Sequence, residues 1–279
     1  MMAIEVLQYD FMQRALIAAV LVGLTAPSVG VFLVQRRLSL IGDGLGHVAL
    51  TGVAVGLVTA HSPITTALIA AVLGALAVEL LRQRGRTGGD VALAILFYGG
   101  IAGGVVIVSQ TPEGRPANLD TYLFGAITTT SASDLWTFAA LAVGVLVVTV
   151  GMRRVLYAVA NDEEHATAAG LPVLQLNLLL AIVTAVSVVV SMRVVGLLLI
   201  SGLMVVPIAA AQLLARSFLA TMVLGCGIGV VSGIAGVTTS YYADTPSGGT
   251  IVLLAIAIFL VALVASSVRG VLTKRREPA

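Results

Sequence analysis

Asp43 and His47 are the residues of this chain best placed to do chemistry. They stand four positions apart in Asp43-Gly44-Leu45-Gly46-His47, within an apolar stretch from Leu38 to Val58. On a helix that spacing sets both side chains on one face. A carboxylate and an imidazole are costly in hydrocarbon without a partner, and together they offer an oxygen and a nitrogen ligand to a divalent transition metal. The competing reading is that the two pair with each other or a neighbouring helix for packing. Two ligands per chain are too few for tight binding. Two copies about a two-fold axis would bring two carboxylates and two imidazoles, or water could complete a site within one chain. Neither arrangement selects strongly between zinc and manganese, and a weak site suits a conduit, since an ion held tightly cannot leave.

The elements that position the pair follow from hydropathy. A helix read from Leu38 places Asp43 about 7.5 Å and His47 about 13.5 Å along its axis, the latter near the midplane of a core roughly 30 Å thick. Gly42, Gly44, Gly46 and Gly52 leave the backbone bare around them, which favours close helix packing or room for an ion. Of the 279 residues 59% are hydrophobic and only 10% charged, against roughly 25% charged in a soluble domain. With a mean hydropathy of +1.09, the solvent of this chain is lipid. The fold class expected is an all-α polytopic helical bundle, a single domain over 1–279.

About nine apolar stretches approach the ~20 residues that span a bilayer: 14–35, 38–58, 63–81, 91–109, 135–152, 171–192, 194–214, 218–241 and 250–268, with eight spans the alternative. Their runs are continuous rather than alternating, which favours helices over barrel strands. Twelve of the fifteen basic residues fall in loops on one side, and only Arg14, Arg115 and Arg193 fall opposite. The positive-inside rule then sets the N-terminus outside and the C-terminus in the cytoplasm. The single cysteine, Cys226, excludes a disulfide framework or a cysteine cluster. The N-terminus lacks the basic region of a cleaved signal peptide.

Several further polar residues stand out. In the inner loop 153–170, the acids and alanines around Glu164, His165 and Ala166 favour a short helix, which Gly170 and then Pro172 stop. A short helix fixed between two spans could engage a cytosolic machine. The outer loop 110–134 is a surface connection or a docking surface. Asp90 is placed to cap the fourth span, Glu79 to pair with the arginines just after it or to snorkel to the cytoplasmic interface, and Pro207 to kink or loosen its span. His61 sits in a short outer turn. No G-x-x-x-x-G-K-[ST] phosphate loop occurs, so ATP-driven work needs a separate subunit. The absence of a G-x-S-x-G elbow or an H-E-x-x-H site argues against an intramembrane enzyme.

Five segments together resemble the integral-membrane permeases of zinc, manganese and iron ABC importers, the zinc-uptake type in particular. They are Phe11 to Leu16 leading into Gln35 to Leu50, then Asp90 to Phe97, Tyr122 to Ile127, the inner loop ending Gly170-Leu171-Pro172, and Val195 to Ala210. The resemblance implies a multi-pass subunit of a prokaryotic plasma membrane, itself no enzyme, paired as a homodimer. It also implies cytosolic ATPase subunits and an extracytoplasmic metal-binding receptor as partners, with no nucleic acid. No cofactor is held permanently. The cargo is a divalent metal ion, zinc foremost with manganese or iron(II) as alternatives, and the run Arg36 to Leu40 leans towards the zinc type. By resemblance Asp43 and His47 line the metal pathway. Glu164-x-Ala166-x-x-x-Gly170 is similar to the E-A-A-x-x-x-G coupling element, with His165 in place of its first alanine. A proton-coupled carrier working without ATP is the rival function.

Overall fold

A computed structural model describes residues 9–83, 89–110, 119–125, 131–192, 195–197 and 199–274, leaving aside the side chains of 89–90, 119–121, 132–134 and 269–274. Among the described residues, twelve helices follow one another: α1 Asp10–Gln35, α2 Ile41–Val58, α3 Pro63–Gln83, α4 Gly89–Ser109, α5 Leu119–Phe124, α6 Ala132–Gly151, α7 Arg153–Asn161, α8 Glu163–Ala168, α9 Val173–Ser191, α10 Ile200–Leu214, α11 Phe218–Ala243 and α12 Ser247–Lys274. The all-helical bundle expected from the sequence is present. Backbone polar groups have no partner in hydrocarbon, so a helix that satisfies them internally is the element such a sequence must form.

Seven of these helices, among the described residues, are long and apolar enough to cross a bilayer: α1, α2, α3, α4, α9, α11 and α12. An eighth span is made if α6 and α7 are taken together, but the chain bends by 67° between them. The run expected to cross over 194–214 differs most from its reading, because its helix starts only at Ile200. Fifteen residues rise only about 22 Å. The cause is Gly196, whose φ of +86° ends any helix there. A Cβ at this position would strike the backbone of Leu123, Phe124 and Gly125. The peptide of Leu197 instead donates to the Tyr122 carbonyl at 2.9 Å. Part of the presumed outer loop, α5, is thereby folded back against the bundle.

Helix α1 is the centre. Its apolar window is 72% buried, against 22% in α4 and α12, so the first is packed by protein and the others present apolar flanks to lipid. It lies against α11, α10, α9 and α6. Pro27 sits within it without ending it. Polar side chains in the interior mostly bond their own helices: Thr184 to the Leu180 carbonyl at 2.7 Å, Ser187 to Val183 at 2.9 Å and Ser191 to Ser187 at 2.7 Å. Thr149 also reaches across from α6 to Ser28 of α1, 3.2 Å away. A second unit forms beside this core, where α2 lies between α3 and α4.

Candidate metal path and the charge cluster beneath it

The turn between α1 and α2 fixes where the acid and the imidazole stand. Arg36, Arg37 and Leu38 fold back on α1 through bonds from their peptides to the carbonyls of Phe32, Val34 and Leu33, with Arg37 at φ +59°. Helix α2 therefore begins at Ile41 and not at Leu38. Asp43 falls in its first turn, where a carboxylate complements the helix dipole. At ~1.5 Å per residue, Asp43 and His47 lie about 3 and 9 Å from the helix start. Both stand nearer the helix start than the sequence reading placed them: Asp43 lies at the arginine-bearing end, whereas His47 is closer to the middle of the 18-residue helix.

Each is half-buried. Asp43 lines an open cleft of about 320 Å³ with Leu40, Leu93, Ala94, Phe97 and Tyr98. That volume would hold about ten waters at ~30 Å³ each, enough for an ion with its hydration shell. The ring of His47 meets Phe97 edge-on, centroids 4.4 Å apart. Tyr98, 69% exposed, stands at the outer lip. Helix α4 can come this close because position 100 is glycine: a Cβ there would sit 2.6 Å from the His47 carbonyl carbon and the Val48 nitrogen. One turn further, Thr51 Oγ1 donates to the Gly100 carbonyl at 2.6 Å. Among the described residues no cluster of three or more His, Cys, Asp and Glu side chains exists. One chain thus brings the Asp43 carboxylate to this cleft, with the His47 ring behind the Phe97 that lines it.

At the arginine-bearing end, the ends of the first and third spans meet the loop after the fifth. Glu163 Oε1 accepts from Arg36 Nη2 at 2.6 Å, Arg82 Nη2 at 2.8 Å and Asn177 Nδ2 at 3.2 Å. Glu79, almost wholly buried, takes the Arg82 guanidinium on both oxygens at 2.9 and 3.2 Å. Its Oε1 also lies 3.7 Å from Arg36. The pairing of Glu79 with the arginine after it is as the sequence reading had it. Burial alone would raise the Glu163 carboxyl, but the hydrogen bonds and charges of Arg82 and Arg36 outweigh it and hold the group below the usual carboxylate range. That the three segments share one end agrees with the side on which the basic loops were placed.

The remaining sequence candidates are dispersed. Glu164 and His165 are exposed on α8, Ala166 is buried, and Gly170 takes φ +79° just past the helix. The peptide of His165 is capped by Asp162 Oδ1 at 2.9 Å. Asp90 lies in the first turn of α4, with its side chain outside the described residues. Pro207 is buried within α10, which continues through it. His61 is exposed and bonds the Thr59 carbonyl at 2.8 Å, and Cys226 is a packing residue on α11 facing the Leu24 carbonyl. Reasoning from sequence passed over Glu163, Asn177, Phe97 and Tyr98. Asn177 gave a signal, as an amide within an otherwise apolar span.

This geometry has counterparts in known proteins. The model of the ABC 3 transport family matches residues 8–266. The chain belongs to that family. A manganese transport system membrane protein of Halalkalibacterium halodurans is 33% identical over 97% of this chain and 92% of its own length. A probable iron transport system membrane protein of Haemophilus influenzae is 30% identical over 95% and 97%. Among solved structures, PsaBC from Streptococcus pneumoniae in complex with Fab superposes with a TM-score of 0.83 at 28% identity, covering 94% of this chain and 95% of that one. As a member of the family, the chain is a multi-pass membrane permease of the metal ABC importer type.

Proposed function

We propose that this ABC 3 family member is the membrane subunit through which an ATP-driven importer passes a divalent transition-metal ion by alternating access, and that Asp43 and His47 are the side chains that hold the ion in transit. The observation that carries the reading is the acid–imidazole pair on one face of α2, both half-buried, with Asp43 lining a cleft that could admit a hydrated ion. An oxygen and a nitrogen donor suit manganese, iron(II) and zinc alike. The relatives described above are named for manganese and iron, which moves manganese or iron(II) ahead of the zinc expected from the sequence.

Two donors hold an ion weakly. A second copy of the chain, related by a two-fold axis at the open face of the cleft, would double the set to two carboxylates and two imidazoles. The apolar lip of Leu40, Phe97 and Tyr98 would then be covered by protein. The pair would replace part of the hydration shell while the neighbouring apolar walls exclude bulk water, and release would follow because so few ligands bind. Selectivity would lie mainly in an extracytoplasmic receptor. Helix α8 and the turn after it, with Glu164, His165, Ala166 and Gly170 as the coupling element, would receive the stroke of a cytosolic ATPase.

The test is manganese uptake into vesicles holding the chain with and without its ATPase partner. Uptake that needs the partner and ATP is expected. Uptake by the chain alone, driven by a pH gradient, would establish the proton-coupled carrier in its place.

A further inference from the structure

Glu163 makes contacts that a surface helix does not need for its own stability. A single carboxylate oxygen is shared by donors from three other segments: Arg36 just past α1, Arg82 in the last turn of α3, and Asn177 of α9. The Arg36 side chain is 5% exposed and the Glu79 side chain 2%, so the pin reaches into the bundle rather than resting on it. Two arginines and two glutamates balance. Without Glu163, the buried Arg36 and the partly exposed Arg82 would share the single Glu79 carboxylate, which is unfavourable. Away from the Glu163 face of α8, Glu164, His165 and Ala168 are exposed. The helix thus offers an outward face to a partner and grips the bundle inwardly through Glu163 and the buried Ala166.

What Glu163 grips leads to the metal path by two stiff routes. Arg36 opens the turn whose peptides bond back to α1, and the same turn continues through Ile41 N to Leu38 O at 3.0 Å into the first residue of α2. Asp43 stands seven positions beyond Arg36 along that hydrogen-bonded segment. Arg82 belongs to α3, which packs along α2. A shift of α8 would therefore reach α2 from its end and from its flank together.

We infer that Glu163 is a positioning residue that transmits movement of α8 through Arg36 and Arg82 to α2, and so sets the position of Asp43 and His47 during transport. This rests on the importer reading above. Energetic coupling carried through contiguous ionic and hydrogen-bonded contacts is of the order that single substitutions change by several-fold. Glu164, which the coupling motif singles out, is the contact surface; Glu163, one residue earlier, is the linkage.

The experiment compares manganese moved per ATP hydrolysed by the full transporter in vesicles. The unaltered complex is set beside Glu163→Ala and the conservative variant Glu163→Asp, which keeps a carboxylate opposite Arg36 and Arg82. Glu163→Ala is expected to keep its ATPase partner and its ATP hydrolysis while losing about tenfold in metal moved per ATP. Glu163→Asp is expected to retain most of that ratio. An unchanged ratio in Glu163→Ala would overturn the inference. So would dissociation of the partner, an equal fall in hydrolysis and uptake, or a Glu163→Asp ratio as low as that of Glu163→Ala, since each makes Glu163 a docking or folding residue. Absence of ATP-driven uptake by the unaltered complex would instead reject the importer reading beneath it.

Discussion

The His47 imidazole rests edge-on against the Phe97 ring, centroids 4.4 Å apart and planes at 74°. This contact joins the residue with metal-binding chemistry on α2 to the helix that walls the cleft. Edge-to-face ring pairs contribute about 0.5–1.5 kcal/mol beyond burial. Phe97→Ala frees the imidazole to turn, so the manganese concentration for half-maximal uptake should rise about threefold. Phe97→Tyr should restore it. Uptake kinetics in vesicles check this, and an unchanged half-saturation would show that the ring does not orient His47.

The close approach of α4 to α2 makes a second, steric prediction. A side chain at Gly100 would press on the His47 and Val48 backbone at 2.6 Å, whereas at the adjacent Gly99 it would meet nothing within 4 Å. Backbone cannot yield as a side chain tip can. Gly100→Val should destabilise the protein by about 1–3 kcal/mol and lower its melting temperature in detergent by several degrees. Gly99→Val should leave it unchanged. Equal melting temperatures for the two would contradict the packing described.

Positive φ without crowding can be separated from positive φ with it. Gly170 and Gly196 both adopt φ near +80°, at +79° and +86°, but only Gly196 is enclosed by backbone. Gly170→Ala should cost only the left-handed conformational penalty of roughly 1–2 kcal/mol. Gly196→Ala adds a clash with the Leu123–Gly125 backbone and should abolish folded protein, read as monodisperse yield after purification. Normal yield from Gly196→Ala would mean that the chain passes this point differently.

The ionic pin has a defined pH dependence. Glu163 is held below the ordinary carboxylate value, so its contribution is complete above that value, near 4.3, and fades as pH falls through the depressed one. The melting temperature of the native protein should exceed that of Glu163→Gln by a constant margin from pH 8 to pH 5, and the margin should close only below about pH 4. Closure near pH 6 would assign the effect to a histidine.

Much of this architecture is legible in the residues themselves. Long apolar runs separated by arginines mark the spans, because a backbone in lipid has few alternatives to a helix. The breaks are harder to read. The run over 194–214 is as apolar as its neighbours, and its helix fails to start at 194 because Gly196 abuts α5, a contact made by residues some seventy positions away. The 67° bend between α6 and α7 is likewise unmarked by proline. Asp43 and His47 stood out because polar groups in an apolar run carry a cost. Their distance from the helix start was overestimated because Leu38, apolar enough to continue α2 backwards, is used in the turn. At Glu163 and Glu164 local pattern was equally silent. Two adjacent acids differ only in which faces the bundle, and a motif match drew attention to the outward one.

The most direct test of the central claim is the rate of ATP-driven manganese uptake by the intact transporter carrying Asp43→Ala or His47→Ala, with assembly of the complex checked in parallel. Both variants are expected to assemble normally and to transport at background. Full transport by both would show that the ion takes another route through the protein.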